Sequence, residues 1–235
     1  LSLFTGSARA FSLLGPYDTW MQSSNGFQLP GDIGGPMNLA EEYRWNVPVL
    51  TYSFDESFLD YFGSNGVWAV EQAIKILNDL PPASLLDPNS YPLETAHWNY
   101  KAQALNLTDL KSKTLVALLE QLGLTQPTRH TYAVHDFVFV NGNPVAQTVT
   151  RNFDPITFAP TNRVNATEYG FTLSASTNGS LISVTAEEFL LDPLNTDFST
   201  AVADDAVGAG GFYTGLTRDD VGGLRYLLCT NNLNL

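Results

Sequence analysis

The 235-residue sequence contains one cysteine, Cys229, so neither an internal disulfide nor a cysteine-based metal cluster can form. Histidine is nearly as scarce, with His97, His130 and His135 as the only three. His130 and His135 are five positions apart on an expected strand, where odd separations point to opposite faces. The sequence therefore does not favour a histidine-based metal site.

Basic residues are also few, because 11 Lys and Arg against 24 Asp and Glu give a formal net charge of −13. Such a chain repels the phosphate backbones of nucleic acids and anionic lipid surfaces, so neither is an expected partner. Charged residues make up only 15% of the chain and hydrophobic residues 44%, which leaves Asn, Thr, Ser, Gln and Gly to cover the surface. This composition is typical of an extracellular protein.

No apolar run approaches the roughly 20 residues that a membrane helix requires, so the sequence predicts no membrane span. The apolar residues Leu1, Leu3 and Phe4 precede the Ala-Arg-Ala sequence at residues 8–10, and together they look like the end of a signal peptide. The alternative is a mature apolar arm in which Leu1, Leu3 and Phe4 form an interface with a neighbouring subunit or dock onto the chain itself. We expect a secreted or cell-surface protein.

Residues 11–48 are rich in Gly, Pro and aromatic side chains, and within them residues 31–37 favour turns over regular structure. The prediction is an extended arm and lead-in over residues 1–48, followed by a single domain over residues 49–235. The domain begins with a β-prone run over residues 49–54, which predicts a strand.

Two amphipathic helices are predicted next. Ser64 or Asn65 caps the first, in which apolar residues recur at spacings of three and four. Thr108 or Asp109 caps the second, and Gly123 ends it in the manner of a C′ glycine.

The second half of the chain changes to alternating β-branched and aromatic segments, at residues 131–140, 145–152, 164–174 and 180–189. Asn141-Gly142 and Asn178-Gly179 between these segments are hairpin signals. Thr217 caps a closing helix, with two aspartates well placed in its first turn. The predicted fold is α+β, with two or three amphipathic helices packed on a mostly antiparallel sheet.

Three segments resemble elements of the matrixin branch of the metzincin peptidases. Arg44-Trp45, the Leu-Thr-Tyr run at residues 50–52 and the first predicted helix stand in the order in which matrixins open. The sequence Leu-Thr-Arg-Asp-Asp-Val at residues 216–221 is similar to the start of the closing matrixin helix. The resemblance implies a fold that is metzincin-like in part. The segment between the first two helices is too short for the matrixin sheet, and the predicted strands follow the second helix instead.

The matrixin zinc motif is His-Glu-x-x-His-x-x-Gly-x-x-His, often with Leu-Gly-Leu near its end. Placing residues 122–124 on that ending puts Val116 at the first His, Ala117 at the Glu, Glu120 at the second His and Gln126 at the third. Catalytic zinc sites need the imidazoles as ligands and the Glu to handle the proton of the bound water. The resemblance therefore implies a degenerate framework without the catalytic zinc.

Two further sets of residues are candidate modification or ligand sites. The Asn-x-Ser/Thr sequons, which are candidates for glycosylation, are Asn106, Asn165 and Asn178. Oxygen-rich residues in loop-like sequence that could hold a structural calcium ion are Asp192, Asn195, Asp197, Asp204 and Asp205. Adjacent carboxylates such as Asp204-Asp205 and Glu187-Glu188 are interpreted as solvated side chains.

The predicted function is that of a non-catalytic secreted or cell-surface protein, a pseudoenzyme that acts in binding or assembly as a structural subunit. Its expected partners are copies of itself or another surface protein, and no cofactor beyond the calcium ion is expected. Two alternatives stay open. One is an extracellular metal-dependent peptidase or other hydrolase with unorthodox ligands, and the other is a carbohydrate- or surface-binding module that uses exposed aromatic residues.

Overall fold

The computed structural model describes residues 10–47, 49–178, 181–192 and 200–229, with the backbone alone for Leu181. Of the described residues, 30% are in helices and 27% in strands, and the mostly antiparallel pairing confirms the predicted α+β fold. The helices in the described residues are α1 (Glu56–Asn78), α2 (Tyr100–Ala104), α3 (Leu110–Gln121) and α4 (Arg218–Leu227). None of these helices combines the length and the apolar character that crossing a membrane requires.

The central strand is β1 (Phe11–Gly15), all of whose residues are buried. It pairs antiparallel with three short strands, β2 (Gly35–Pro36), β4 (Leu124–Thr125) and β7 (Asn152–Phe153). The sequence analysis placed this segment in the lead-in and predicted no strand there. A short apolar strand that is buried on both faces lacks the alternation by which half-buried strands are recognised.

Helices α3 and α4 pack with β1 into one hydrophobic core. Leu115 and Leu119 of α3 and Leu224 of α4 are all fully buried in this core. Gly223 lets α4 approach the sheet closely, since a Cβ there would lie 2.5 Å from a side-chain carbon of Leu124. The central sheet and the start of α4 are therefore held in direct contact.

Helix α1 begins earlier than predicted. Asp55 caps it by accepting a hydrogen bond from the Phe58 N–H at 2.8 Å, and the helix kinks at Gly63. The predicted strand over residues 49–54 was wrong, because this segment pairs with no strand in the part of the chain that the structure describes. The Phe54 ring stacks on Phe58 instead, 5.1 Å between ring centroids, so this segment packs on the helix rather than on another strand.

The predicted ends of the other two helices are confirmed. Asp109 caps α3 by accepting from the Ser112 N–H at 2.8 Å, and Gly123 follows the helix with φ of +107°. Thr217 stands at the N-cap of α4, and its N–H and hydroxyl both donate to the carboxylate of Asp220 in the first turn. The short helix α2 was not predicted.

Two long hairpins confirm the predicted β-rich second half. The first joins β5 (Ala133–Val140) to β6 (Asn143–Val149) through Asn141 and Gly142, both with positive φ as a type I′ turn requires. The second joins β9 (Thr167–Asn178) to β10 (Leu181–Leu190). Gly179, the second residue of its predicted turn, lies outside the described residues.

The remaining strands are short. Strand β8 (Arg163–Val164) pairs with β9, and β11 (Gly211–Tyr213) pairs with β3 (Ala96–Trp98). The strands thus form several small antiparallel sheets around the core rather than one continuous sheet.

Candidate functional site

Asp220 in the first turn of α4 accepts four hydrogen bonds. Two come from the Val202 and Ala203 N–H groups at 3.0 Å, and two from the N–H and hydroxyl of Thr217 at 2.9 and 2.5 Å. Burial raises the pKa of Asp220, while the donated hydrogen bonds act in the opposite direction. This carboxyl group ties the turn at residues 202–204 to the start of α4.

Asp219 ties two other remote segments to the same helix. Its Oδ2 accepts from the Ala10 N–H and from the Asn165 N–H, each at 2.6 Å. Burial raises the pKa of this carboxyl group well above its usual value. The two aspartates therefore have a structural role, which is to hold β1, the turn before β9 and the 202–204 turn around one helix end.

A polar cavity of about 250 Å³ lies beside this helix end. The polar side chains that line it are Gln126, Thr128, Arg129, Glu188, Thr200 and Asp204. They come from strand β10, from the segment after β4 and from the 202–204 turn, so only the folded chain brings them together.

Asp204 is enclosed on one side of this cavity. Its carboxylate accepts from the Thr128 N–H at 2.8 Å, from the Thr128 hydroxyl at 2.9 Å and from the Ala201 N–H at 3.1 Å. Burial raises the pKa of Asp204 to about 7, with the neighbouring Asp220 acting in the same direction.

Glu188 lies on β10 and has no comparable partners. Its buried Oε1 forms no hydrogen bond with any described residue. Burial raises the pKa of Glu188 to about 8; a hydrogen bond from its own backbone N–H and the charge of Arg129 lower it, while Asp204 and Glu187 raise it further. A carboxyl group that is withdrawn from water without a cationic partner favours its neutral form.

Arg129 is already paired outside the cavity. Its Nη1 and Nη2 donate to the two carboxylate oxygens of Asp32 at 2.8 and 2.9 Å, and Nη2 also donates to the Gly26 carbonyl at 2.8 Å. This bidentate pair is the geometry in which guanidinium and carboxylate bind most strongly. The positive charge of Arg129 is thereby largely neutralised by Asp32.

These carboxyl groups predict that the protein is more stable at pH 5 than at pH 8. In the unfolded chain Glu188 and Asp204 have pKa values of about 4, so between pH 4 and their raised folded values the folded state binds more protons. Their contribution to stability is fully present below about pH 4 and is lost as the pH rises from there through about 7 and 8. Melting temperatures of the wild type and of Glu188→Gln, measured from pH 5 to pH 9, test this.

Glu188→Gln should flatten the decline. The matched control is Glu187→Gln, which changes the adjacent, exposed carboxylate of the same strand. Glu187 has the smallest of the charge effects on the pKa of Glu188, so this variant should change the profile of the wild type much less. Equal profiles for the wild type and both variants would contradict the prediction.

No family model, curated protein or solved structure matches this chain. The resemblance to matrixins therefore stays a prediction.

The four positions aligned with the zinc motif lie on α3 and in the segment after β4. Val116 packs against the core from α3 and Ala117 is exposed, while burial raises the pKa of Glu120. Gln126 lines the cavity. The four residues offer one carboxylate and one amide between them, which is not the ligand set of a catalytic zinc.

Two of the described calcium candidates, Asp204 and Asp205, have different partners. The carboxylate of Asp204 faces Thr128 and Ala201, whereas Asp205 pairs with the Lys113 Nζ at 2.5 Å. Asp192 is exposed. Within the described residues, no group of three or more His, Cys, Asp or Glu is arranged to hold a metal ion. A structural calcium ion stays a hypothesis.

Five of the predicted site residues lie outside the described residues: Leu1, Leu3, Phe4, Asn195 and Asp197.

The three sequons differ in their exposure to solvent. Asn106 and Asn178 are exposed, and their glycosylation stays a prediction. Asn165 is buried, donates from Nδ2 to the Thr217 hydroxyl at 3.0 Å and accepts from the Asp219 N–H at 3.2 Å. Asn165 is therefore corrected to a structural residue, since a glycan on its amide would break these contacts.

Sequence reasoning missed the cavity. Glu188 and Asp204 were interpreted as members of solvated carboxylate pairs, but each turns out to differ from its neighbour in surroundings. Alternation along β10 gives one hint, because Glu187 and Glu188 must point to opposite faces of the strand. Nothing in the sequence indicates that Asp204 faces the same cavity.

Two exposed apolar surfaces are further candidate sites. The first is the tip of the β5–β6 hairpin, residues 137–145, which we call the hairpin tip. The second is a row of aromatic rings before and within the first turns of α1, which we call the aromatic ladder and which consists of Tyr52, Phe54, Phe58, Tyr61 and Phe62. Successive rings in this row have centroids between 4.7 and 5.7 Å apart.

Proposed function

We propose that this protein is a non-catalytic secreted or cell-surface subunit that assembles with further copies of itself. The observation that carries the proposal is the hairpin tip. Val138, Phe139, Val140 and Val145 are each 42% to 57% exposed there, on both faces of a two-stranded ribbon. Contiguous apolar surface of this kind marks interaction sites.

The charge pattern favours a second copy as the occupant of this surface. Residues 137–150 contain no Asp, Glu, Lys or Arg, although the protein as a whole carries a net charge of −13. Two identical acidic chains repel each other, so a contact between them is most favourable where neither surface carries charge. The hairpin tip meets this condition.

The backbone of the hairpin is also suited to pairing. Among the described strands, β5 and β6 form hydrogen-bonded ladders only with each other. Near the base of β5 the His135 carbonyl accepts from Asn25 Nδ2 at 2.8 Å, so the relevant edges without a paired strand are those toward the hairpin tip. Pro144 lacks an N–H and weakens the edge of β6, which leaves the edge of β5 as the better template. Antiparallel pairing of two β5 edges would give a symmetric dimer in which both copies use the same surface.

The aromatic ladder is less suited to a second copy. Tyr61 is 83% exposed, but Asp55, Glu56 and Asp60 are interleaved with the rings along the chain. Like charges on two copies would oppose contact through this surface. It therefore serves as the comparison surface for the experiment.

The test is the mass of the purified protein in solution, measured by light scattering across a range of concentrations. We expect a mass above the 25.7 kDa of one chain. The variant Val138→Thr/Phe139→Thr/Val145→Thr keeps β-prone side chains but removes apolar area, and it should be monomeric. The control Tyr52→Gln/Tyr61→Gln removes aromatic area from the ladder and should keep the mass of the wild type.

A wild type that is monomeric at every concentration would refute the assembly proposal. If the ladder control is monomeric and the hairpin variant keeps the mass of the wild type, the protein assembles through the aromatic ladder instead. The terminal arm can be tested in the same measurement by deleting residues 1–9, which leaves the Ala10 contact to Asp219 in place.

A further inference from the structure

One polar atom at the cavity, the buried Oε1 of Glu188, has no hydrogen-bond partner in the described part of the chain. Native structures leave few buried polar groups unpaired, and each one calls for a water or a ligand. The hydroxyl of Thr200, a residue that is 7% exposed, belongs to the wall of the same cavity, so one occupant could contact both side chains.

The charges around the cavity identify the class of this occupant. Asp32 already neutralises Arg129, and Lys113 is paired with Asp205, so neither cation is available to Glu188. Asp204 adds a second carboxyl group to the wall. An anion would therefore be repelled, whereas a cation would find an unpaired carboxyl group in a protein of net charge −13.

An organic cation fits the walls better than a hard metal ion. Calcium takes six to eight oxygen ligands and magnesium an octahedral set, but the cavity offers two carboxyl groups, one of which already accepts three hydrogen bonds. An ammonium group needs only a few acceptors, and the amide of Gln126 and the hydroxyl of Thr200 can bind further polar groups of the same ligand.

We propose that the cavity binds a small primary ammonium ion, with Glu188 as its anionic partner and Thr200 and Gln126 as hydrogen-bonding partners for the rest of the ligand. The volume of about 250 Å³ lies below the usual range for drug-sized ligands, which restricts the occupant to a compact molecule. This site is separate from the hairpin tip and does not depend on assembly.

Binding at this site is coupled to proton release. The groups that act on Glu188 are Arg129, Asp204 and Glu187, and Tyr169 also senses its charge. Below about pH 8 the Glu188 carboxyl group is protonated. The incoming ammonium ion favours the carboxylate, so the carboxyl proton leaves to the buffer as the ion pair forms.

The probe is ethanolamine, an ammonium ion at neutral pH, and its neutral counterpart is ethylene glycol, in which a hydroxyl replaces the ammonium group. Calorimetric titration in two buffers of different ionisation enthalpy measures both affinity and protons released. We expect ethanolamine to bind in about the millimolar range, with affinity rising about tenfold per pH unit from pH 6 to pH 8 and then levelling off. Ethylene glycol should bind at least about tenfold more weakly at pH 8.

Glu188→Gln should abolish both the binding and the proton release, whereas Glu187→Gln should keep both. Circular dichroism and melting temperature establish that each variant is folded. A second test is Thr200→Val, which removes the hydroxyl but keeps the shape of the side chain. We expect this variant to bind ethanolamine about fivefold or more weakly than the wild type does. The proposal is overturned if ethanolamine does not bind, if ethylene glycol binds equally well, or if affinity is independent of pH in this range.

Discussion

Asp220→Ala is expected to lower the free energy of unfolding by about 3 to 5 kcal/mol, the range found when one partner of a buried polar network is removed. The substitution leaves the N–H groups of Val202, Ala203 and Thr217 and the Thr217 hydroxyl without their acceptor. Each buried donor that loses its partner costs about 1 to 3 kcal/mol. Urea denaturation followed by circular dichroism measures the change.

Two control variants distinguish the effect of breaking this hydrogen-bond network from the effect of removing a carboxylate. Asp60→Ala removes an exposed carboxylate on α1 and should change stability by no more than about 0.5 kcal/mol. Asp220→Asn keeps one acceptor oxygen and should lie between the other two variants. A loss below about 1 kcal/mol for Asp220→Ala would show that the donors find other partners.

Gly123→Ala should cost about 3 kcal/mol, the upper end of the range for a residue held in a sparsely populated backbone conformation. Gly123 has φ of +107°, and a Cβ there would lie 2.6 Å from the backbone oxygen of Tyr43. Backbone cannot rotate away as a flexible side chain can, so the segment around Tyr43 has to move. The helix-end geometry alone predicts only about 1 kcal/mol.

Gly142→Ala isolates the contribution of the backbone conformation. Gly142 has φ of +81° in the β5–β6 turn, and no atom lies within 4 Å of the Cβ position. This variant should cost about 1 to 2 kcal/mol. Equal losses for the two glycines in thermal unfolding would mean that the contact with Tyr43 contributes nothing.

Local sequence patterns were sufficient where an element is defined by its own residues. Asp109 and Gly123 mark the ends of α3, Thr217 marks the start of α4, and Asn141-Gly142 marks a hairpin turn, because caps and turns depend on side-chain chemistry within a few residues. These features are correct in the structure.

Sequence patterns failed where tertiary contacts determine the secondary structure of a segment. Residues 49–54 have the composition of a strand, but the Phe54 ring stacks on Phe58 of α1. Strand β1 has no alternation to reveal it, because all five of its residues are buried, and its paired strands follow it by up to about 140 positions. Propensity is a weak guide in both cases, since packing overrides it.

The cavity could not be predicted for a related reason. Its wall combines Glu188 of β10 with Asp204 of a later turn and Thr128 of an earlier one. Whether a carboxyl group is solvated depends on what the fold places around it, and that information is not local to its sequence. Gln126 was named as a degenerate zinc position, and its place in the cavity wall was not foreseen.

The hydrogen bond between Ala10 and Asp219 has a consequence for how the protein is made. It joins residues 209 positions apart in sequence, and the central strand β1 is anchored at one end by this contact. During synthesis β1 emerges early, but the helix that holds it emerges almost a whole domain later. Contacts of such long sequence separation slow folding and keep apolar segments unprotected until they form. The core is thus expected to close only after translation has passed α4, and the apolar residues of β1 stay unprotected until that point.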